Sequence, residues 1–158
     1  MKPDSRLLDC LNDLLADELT AINQYMVHSE MCDDWGYARL HELVEKRAID
    51  EMRHAEKLIG RILFLGGIPI VTHLKKIFIG AAVDKQLQND RKSEEEAIAA
   101  YNKAIALARE LGDHGTGDLF QTILKDEEAH IDLTQAKLDQ IEQVGLQNFL
   151  AHQIREEE

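Results

Sequence analysis

Two prolines and nine glycines in 158 residues leave little to interrupt a helix, which argues against a strand-rich fold. Cysteine is equally scarce. Cys10 and Cys32 are too few for a disulfide framework and are not spaced as a metal knuckle, so a reducing cytoplasm is the simplest setting. Basic residues are in the minority, 18 Lys+Arg against 30 Asp+Glu, for a net charge of −12. That balance argues against a nucleic-acid partner, whose phosphates need basic patches, and favours cations. There is no long apolar run either. The segment from Met1 to Arg6 leads into an apolar pattern broken by Asp9 and Asn12, which is neither a signal peptide nor a membrane span. The length suits one domain, 1–158, with a sizeable core.

What remains is helical patterning. Pro3 sits where a helix start tolerates it, and helical spacing then runs from about Asp4 to Asp33. The short Asp33-Asp34-Trp35-Gly36 turn predicts an antiparallel return over about 37–64, ended by Gly66-Gly67-Ile68-Pro69. The stretch to Gly80 has no clear helical period and reads as a long connection. Further helices are predicted over about 82–111 and 116–144, with Gly145 as a cap and a short fifth helix from Leu146 to Ile154. Two helical hairpins joined by one long crossover give an all-α four-helix bundle of ferritin-like connectivity.

Each long helix carries a seam with steps of three and four. The first runs Leu11, Leu15, Glu18, Ile22, Tyr25; the second, Val44, Ala48, Glu51, Ala55, Leu58, Ile62. The third runs Leu87, Glu94, Ile98, Tyr101, Ile105; the fourth, Phe120, Leu124, Glu127, Ile131, Thr134, Leu138, Ile141. Every seam has one glutamate near its middle. A buried carboxylate costs several kcal/mol unless it is paired, hydrogen-bonded or metal-bound. Four of them, one per helix, need a shared counter-charge.

Two of the four open Glu-x-x-His sequences, Glu51–His54 and Glu127–His130, whose side chains project from one helical face. Alone, the motif is weak in a glutamate-rich chain. It repeats in register, however: Glu18 to Glu94, Tyr25 to Tyr101, Glu51 to Glu127 and His54 to His130 are all 76 positions apart. Register also selects Glu94 over Glu95 and Glu96, which lie about 100° and 200° round the helix. A pseudo-two-fold bundle converges these groups into four carboxylates and two imidazoles, carrying enough charge for two divalent cations. Such a donor set suits Fe or Mn better than Cu(I) or structural Zn. Glu51 and Glu127 are the expected bridges, with Glu18 and His54 at one end and Glu94 and His130 at the other. Tyr25, and less strongly Tyr101, are candidate partners of the terminal carboxylates.

The segments Glu18–Tyr25, Ile49–Glu56, Asp126–Asp132 and Gly145–Leu150, together with these spacings, resemble the bacterioferritins from the first helix to the last. The resemblance implies an iron-storage protein with ferroxidase activity at a di-iron centre (Fe2+/Fe3+), using O2 or H2O2. It also implies a 24-subunit homo-oligomeric shell built from two-fold dimers around a ferric mineral, and haem b shared between two subunits. Met52 is then the axial haem ligand, in a partly apolar strip with Leu19, Asn23, Met26 and Ile49. A bacterioferritin-associated ferredoxin is an implied partner. Some members carry a histidine just before the Glu-x-x-His turn for an inner-surface iron site; Glu45-Lys46-Arg47 stands there instead, leaving Asp50 without that partner. The Gly112–Gly117 turn looks looser than the family's. His28, His41, His73, His114 and His152 match no ligand spacing and are expected at surfaces or interfaces. The rival readings are a rubrerythrin-like di-iron redox protein, a non-haem ferritin, a di-manganese catalase and a non-catalytic assembly protein.

Overall fold

A computed structural model describes residues 3–154. Four long helices, α1 (Ser5–Asp34), α2 (Ala38–Phe64), α3 (Val83–Glu110) and α4 (His114–Val144), are followed by the short α5 (Leu146–Ala151). Asp4 caps α1 by accepting the Arg6 amide at 2.8 Å. α1 packs along α2 and α3 along α4, and α1 against α3 brings the two hairpins together. The predicted helices are all present, most within a residue or two of their expected ends; α5 stops at Ala151.

The second hairpin's turn is tighter than expected. α4 begins at His114, so Gly115 lies inside the helix rather than before it. Asp113 caps it by accepting from the Thr116 amide at 3.0 Å. Arg61 of α2 ties this turn to the first hairpin, donating to Thr116 Oγ1 at 2.8 Å and Asp113 Oδ1 at 3.2 Å.

Residues 65–82 form the crossover, and they are neither helix nor strand. An extended segment of that length needs partners for its backbone groups. Side chains four apart along α1 supply them. Thr20 Oγ1 accepts from the Lys75 amide at 2.8 Å, Gln24 Oε1 from Phe78 at 3.1 Å and His28 Nε2 from Gly80 at 3.0 Å. Asn12, further up α1, accepts from Ile70 at 2.8 Å. Gly80 is required here, since any Cβ would collide with the Gln86 backbone. His28 is thus no surface residue: it is wholly buried, and its Nδ1 lies 2.9 Å from Asp90 Oδ1. Because Nε2 accepts from Gly80, Nδ1 holds the proton and donates to Asp90.

The apolar core is split along the bundle. One cluster, with Leu11, Leu15, Leu58, Ile62, Phe120 and Ile123, fills one end. A second, with Cys32, Leu40, Val83, Leu87 and Phe149 of α5, fills the other. The polar residues of the helix middles lie between them. Among the described residues, no helix is long and apolar enough to cross a membrane.

Candidate metal centre

All four seam glutamates are buried mid-helix, and Glu94 is 0% exposed. Glu95 and Glu96 are exposed, as the register required. Glu18, Glu51, His54 and Glu127 present one ligand atom each within 4.8 Å of one another. His54 Nδ1 lies 3.6, 3.5 and 3.2 Å from oxygens of Glu18, Glu51 and Glu127. His130 Nδ1 joins from the other side, 3.3 Å from Glu51 and 3.8 Å from Glu127. Five of the six expected groups therefore converge. The sixth, Glu94, lies apart: its Oε1 accepts from Arg47 Nη1 at 2.8 Å and Thr134 Oγ1 at 3.2 Å.

The outer nitrogens of both imidazoles are occupied. His54 Nε2 meets Asp126 at 2.9 Å, and His130 Nε2 meets Asp50 at 3.2 Å. Each aspartate immediately precedes the glutamate of the opposite Glu-x-x-His motif, and Asp50 and Asp126 are themselves 76 positions apart. Extending the repeat by one residue would have revealed this pair. With Nε2 donating to a carboxylate, Nδ1 faces inward, the orientation of a metal-ligating histidine, where a metal would displace any proton it carries. Tyr101, the less favoured tyrosine, is the one that touches a terminal carboxylate: its hydroxyl donates to Glu18 Oε1 at 2.6 Å. Tyr25 is buried and lines the cavity beside the site.

Burial and the neighbouring carboxylate of Glu51 push Glu18 well above its ordinary range, and burial with Glu127 pushes Glu51 up. Burial raises Glu94 to about 7, even against the Arg47 guanidinium. Burial would also raise Glu127, but contact with His130 and His54 outweighs it and holds this carboxyl low. His54 runs the other way: burial opposes its charge, while Glu127, Glu18 and Glu51 favour it. Every one of these shifts describes a negative cavity seeking positive charge. The hydrogen-bond ledger agrees. Among the described residues, eight buried side-chain polar atoms have no partner, and six of them are Glu18 Oε2, Glu51 Oε1, His54 Nδ1, Glu94 Oε2, Glu127 Oε1 and His130 Nδ1. One atom from each expected ligand stands unsatisfied where native interiors leave few such groups. Cations placed among them would satisfy all six.

A cavity of about 120 Å³ links the crossover to this cluster, from Lys75 and Phe78 past Tyr25 to Glu18, Glu51 and Glu127. Met52 lies outside the bundle seam and is 46% exposed, with Met26 and Ile49 also exposed. Asn23, expected in the same strip, bonds its own helix through the Leu19 carbonyl at 2.8 Å.

A family model for the ferritin-like domain matches residues 8–144. A bacterioferritin of Mycolicibacterium paratuberculosis is 40% identical over 151 residues, covering 96% of this chain and 95% of its own. The chain belongs to the bacterioferritin family. A bacterioferritin of Brucella melitensis is 38% identical over 149 residues, and one of Rhodobacter capsulatus 36% over 149, each alignment covering 94% of this chain and 92% of the relative. Such bacterioferritin likeness runs nearly the whole chain, through both hairpins and the crossover between them.

Proposed function

We propose that this protein is a ferroxidase and iron store, taking two Fe(II) ions as substrate at the Glu18, Glu51, His54, Glu94, Glu127 and His130 cluster. The six unsatisfied ligand atoms are the observation that supports it. Glu51 and Glu127 lie between the two imidazoles and serve as bridges, with Glu18 and His54 holding one ion and Glu94 and His130 the other. Dioxygen or hydrogen peroxide accepts the electrons, one from each iron. Asp126 and Asp50 hold the imidazole tautomers, and Tyr101 fixes Glu18 by hydrogen bond. The cavity from the crossover gives small molecules a path to the cluster.

Ferric product is stored inside a cytoplasmic 24-subunit shell of identical chains. Exposed Met52, flanked by Ile49 and Met26, fits a haem b held between two copies, each copy giving one thioether. Haem would supply an electron path to the store, with an associated ferredoxin as donor. The test is aerobic addition of Fe(II) to purified protein, following ferric absorbance and particle mass together. Rapid oxidation in a particle of about 24 subunits is expected, and Glu127→Ala should abolish the rapid phase with the particle intact. A small oligomer that takes up no iron would refute the storage reading.

A further inference from the structure

The 76-residue repeat makes the two ends of the cluster comparable position by position, and they are not alike. At the Glu18 end, Tyr101 donates to the carboxylate and belongs to an apolar core cluster that also holds the buried Leu58 and Ile123. The positions equivalent to Leu58 and Ile123 at the Glu94 end are Thr134 and Arg47 (58 and 134, 47 and 123, each 76 apart). An apolar pair at one end is thus replaced by a hydroxyl and a guanidinium at the other. Arg47 is only 5% exposed. Its Nη1 donates to Glu94 at 2.8 Å and to Thr134 Oγ1 at 2.6 Å, while its buried Nε has no partner among the described residues. A buried cation of this kind depends on its carboxylate. Glu94 is the acidic group with which it pairs.

We propose that Arg47 is a positioning residue that makes the two metal positions unequal, so that the Glu18–His54 position fills first and the Glu94–His130 position second and more weakly. This rests on the di-metal reading above. Glu18, Glu51, His54 and Glu127 already converge, whereas an ion at the second position must draw on a carboxylate whose Oε1 is committed to a guanidinium. That ion also meets a fixed positive charge across one buried carboxylate, where charges interact more strongly than in water. The guanidinium belongs to the fold itself, held by Glu94 and Thr134, so the inequality is built in.

Anaerobic titration of the metal-free, full-length protein with Co(II), read by visible absorbance and equilibrium dialysis, tests this without any turnover. The unaltered protein is expected to bind one Co(II) per subunit about tenfold or more tightly than the second. Glu94→Ala should remove only the weaker event, and Glu18→Ala the tighter. Arg47→Gln should tighten the second event toward the first while leaving the first unchanged, and Arg47→Lys, which keeps the charge, should preserve the stagger. A merely structural role for Arg47 would weaken both events together. Two equal events in the unaltered protein, which needs no variant to fold, would overturn the assignment, as would a stagger that survives Arg47→Gln. Absence of any Co(II) binding in the unaltered protein would overturn the di-metal reading itself.

Discussion

Metal-free protein should lose stability as pH rises from about 5 to about 8, and bound divalent metal should abolish the loss. Glu94 is wholly buried, and its carboxyl sits at about 7 instead of the ordinary 4.5. An acid with a raised folded value binds its proton more tightly in the native state. Its contribution is therefore present below the unfolded value and lost as pH climbs through the folded one. At about 1.4 kcal/mol per pH unit, the gap corresponds to roughly 3 kcal/mol for Glu94 alone. Glu18 and Glu51, also raised, and His54, whose charged form is favoured, act in the same direction. Glu127 is held low, so its opposing effect falls at more acid pH, outside this window. The assay is urea denaturation of chelator-treated protein across pH 5 to 8, repeated with Co(II). Glu94→Gln should flatten the metal-free curve by roughly the 3 kcal/mol assigned to that residue. Stability that is flat or rising with pH in the metal-free protein would refute the picture of crowded, buried carboxylates.

Three further outcomes are expected. Tyr101→Phe removes the 2.6 Å bond to Glu18; loss of a buried bond to a charged group should cost about 1.5–3 kcal/mol, read as a lower denaturation midpoint, with slower iron oxidation. Asp126→Asn deprives His54 Nε2 of its carboxylate and should weaken metal binding about 10–100-fold in a Co(II) titration. Met52→Leu should eliminate the haem Soret band and leave Fe(II) oxidation unchanged, because this side chain is exposed while the cluster is buried; an unchanged spectrum would exclude Met52 as ligand.

The bundle was legible because helical periodicity and scarce breakers are strong local signals. Glu94 was chosen over Glu95 on phase alone, and burial follows that phase. The internal repeat likewise singled out the five groups that converge, Glu18, Glu51, His54, Glu127 and His130, but not the separate setting of Glu94. Less visible were contacts that cross between hairpins. Tyr25 and Tyr101 are equivalent in the repeat, so periodicity could not say that only Tyr101 would reach a carboxylate. Arg47 stands in the sequence only as part of the Glu45-Lys46-Arg47 departure, and its pairing with Glu94 on α3, 47 residues away, carries no local signal. His28 failed for the same reason. Its partners, Gly80 and Asp90, are 52 and 62 residues away.

The crossed pairs at the cluster bear on how the chain matures. His54 on α2 is oriented by Asp126 on α4, His130 on α4 by Asp50 on α2, and Glu18 on α1 by Tyr101 on α3. In each of these three pairs the ligand and the group that orients it lie on different hairpins, whereas Glu94 has one partner on its own hairpin, Thr134, beside Arg47 on the other. A chain with one hairpin formed, or with both formed and still undocked, therefore offers loose carboxylates and misdirected imidazoles. The three crossed pairs are therefore complete only once the two hairpins have docked.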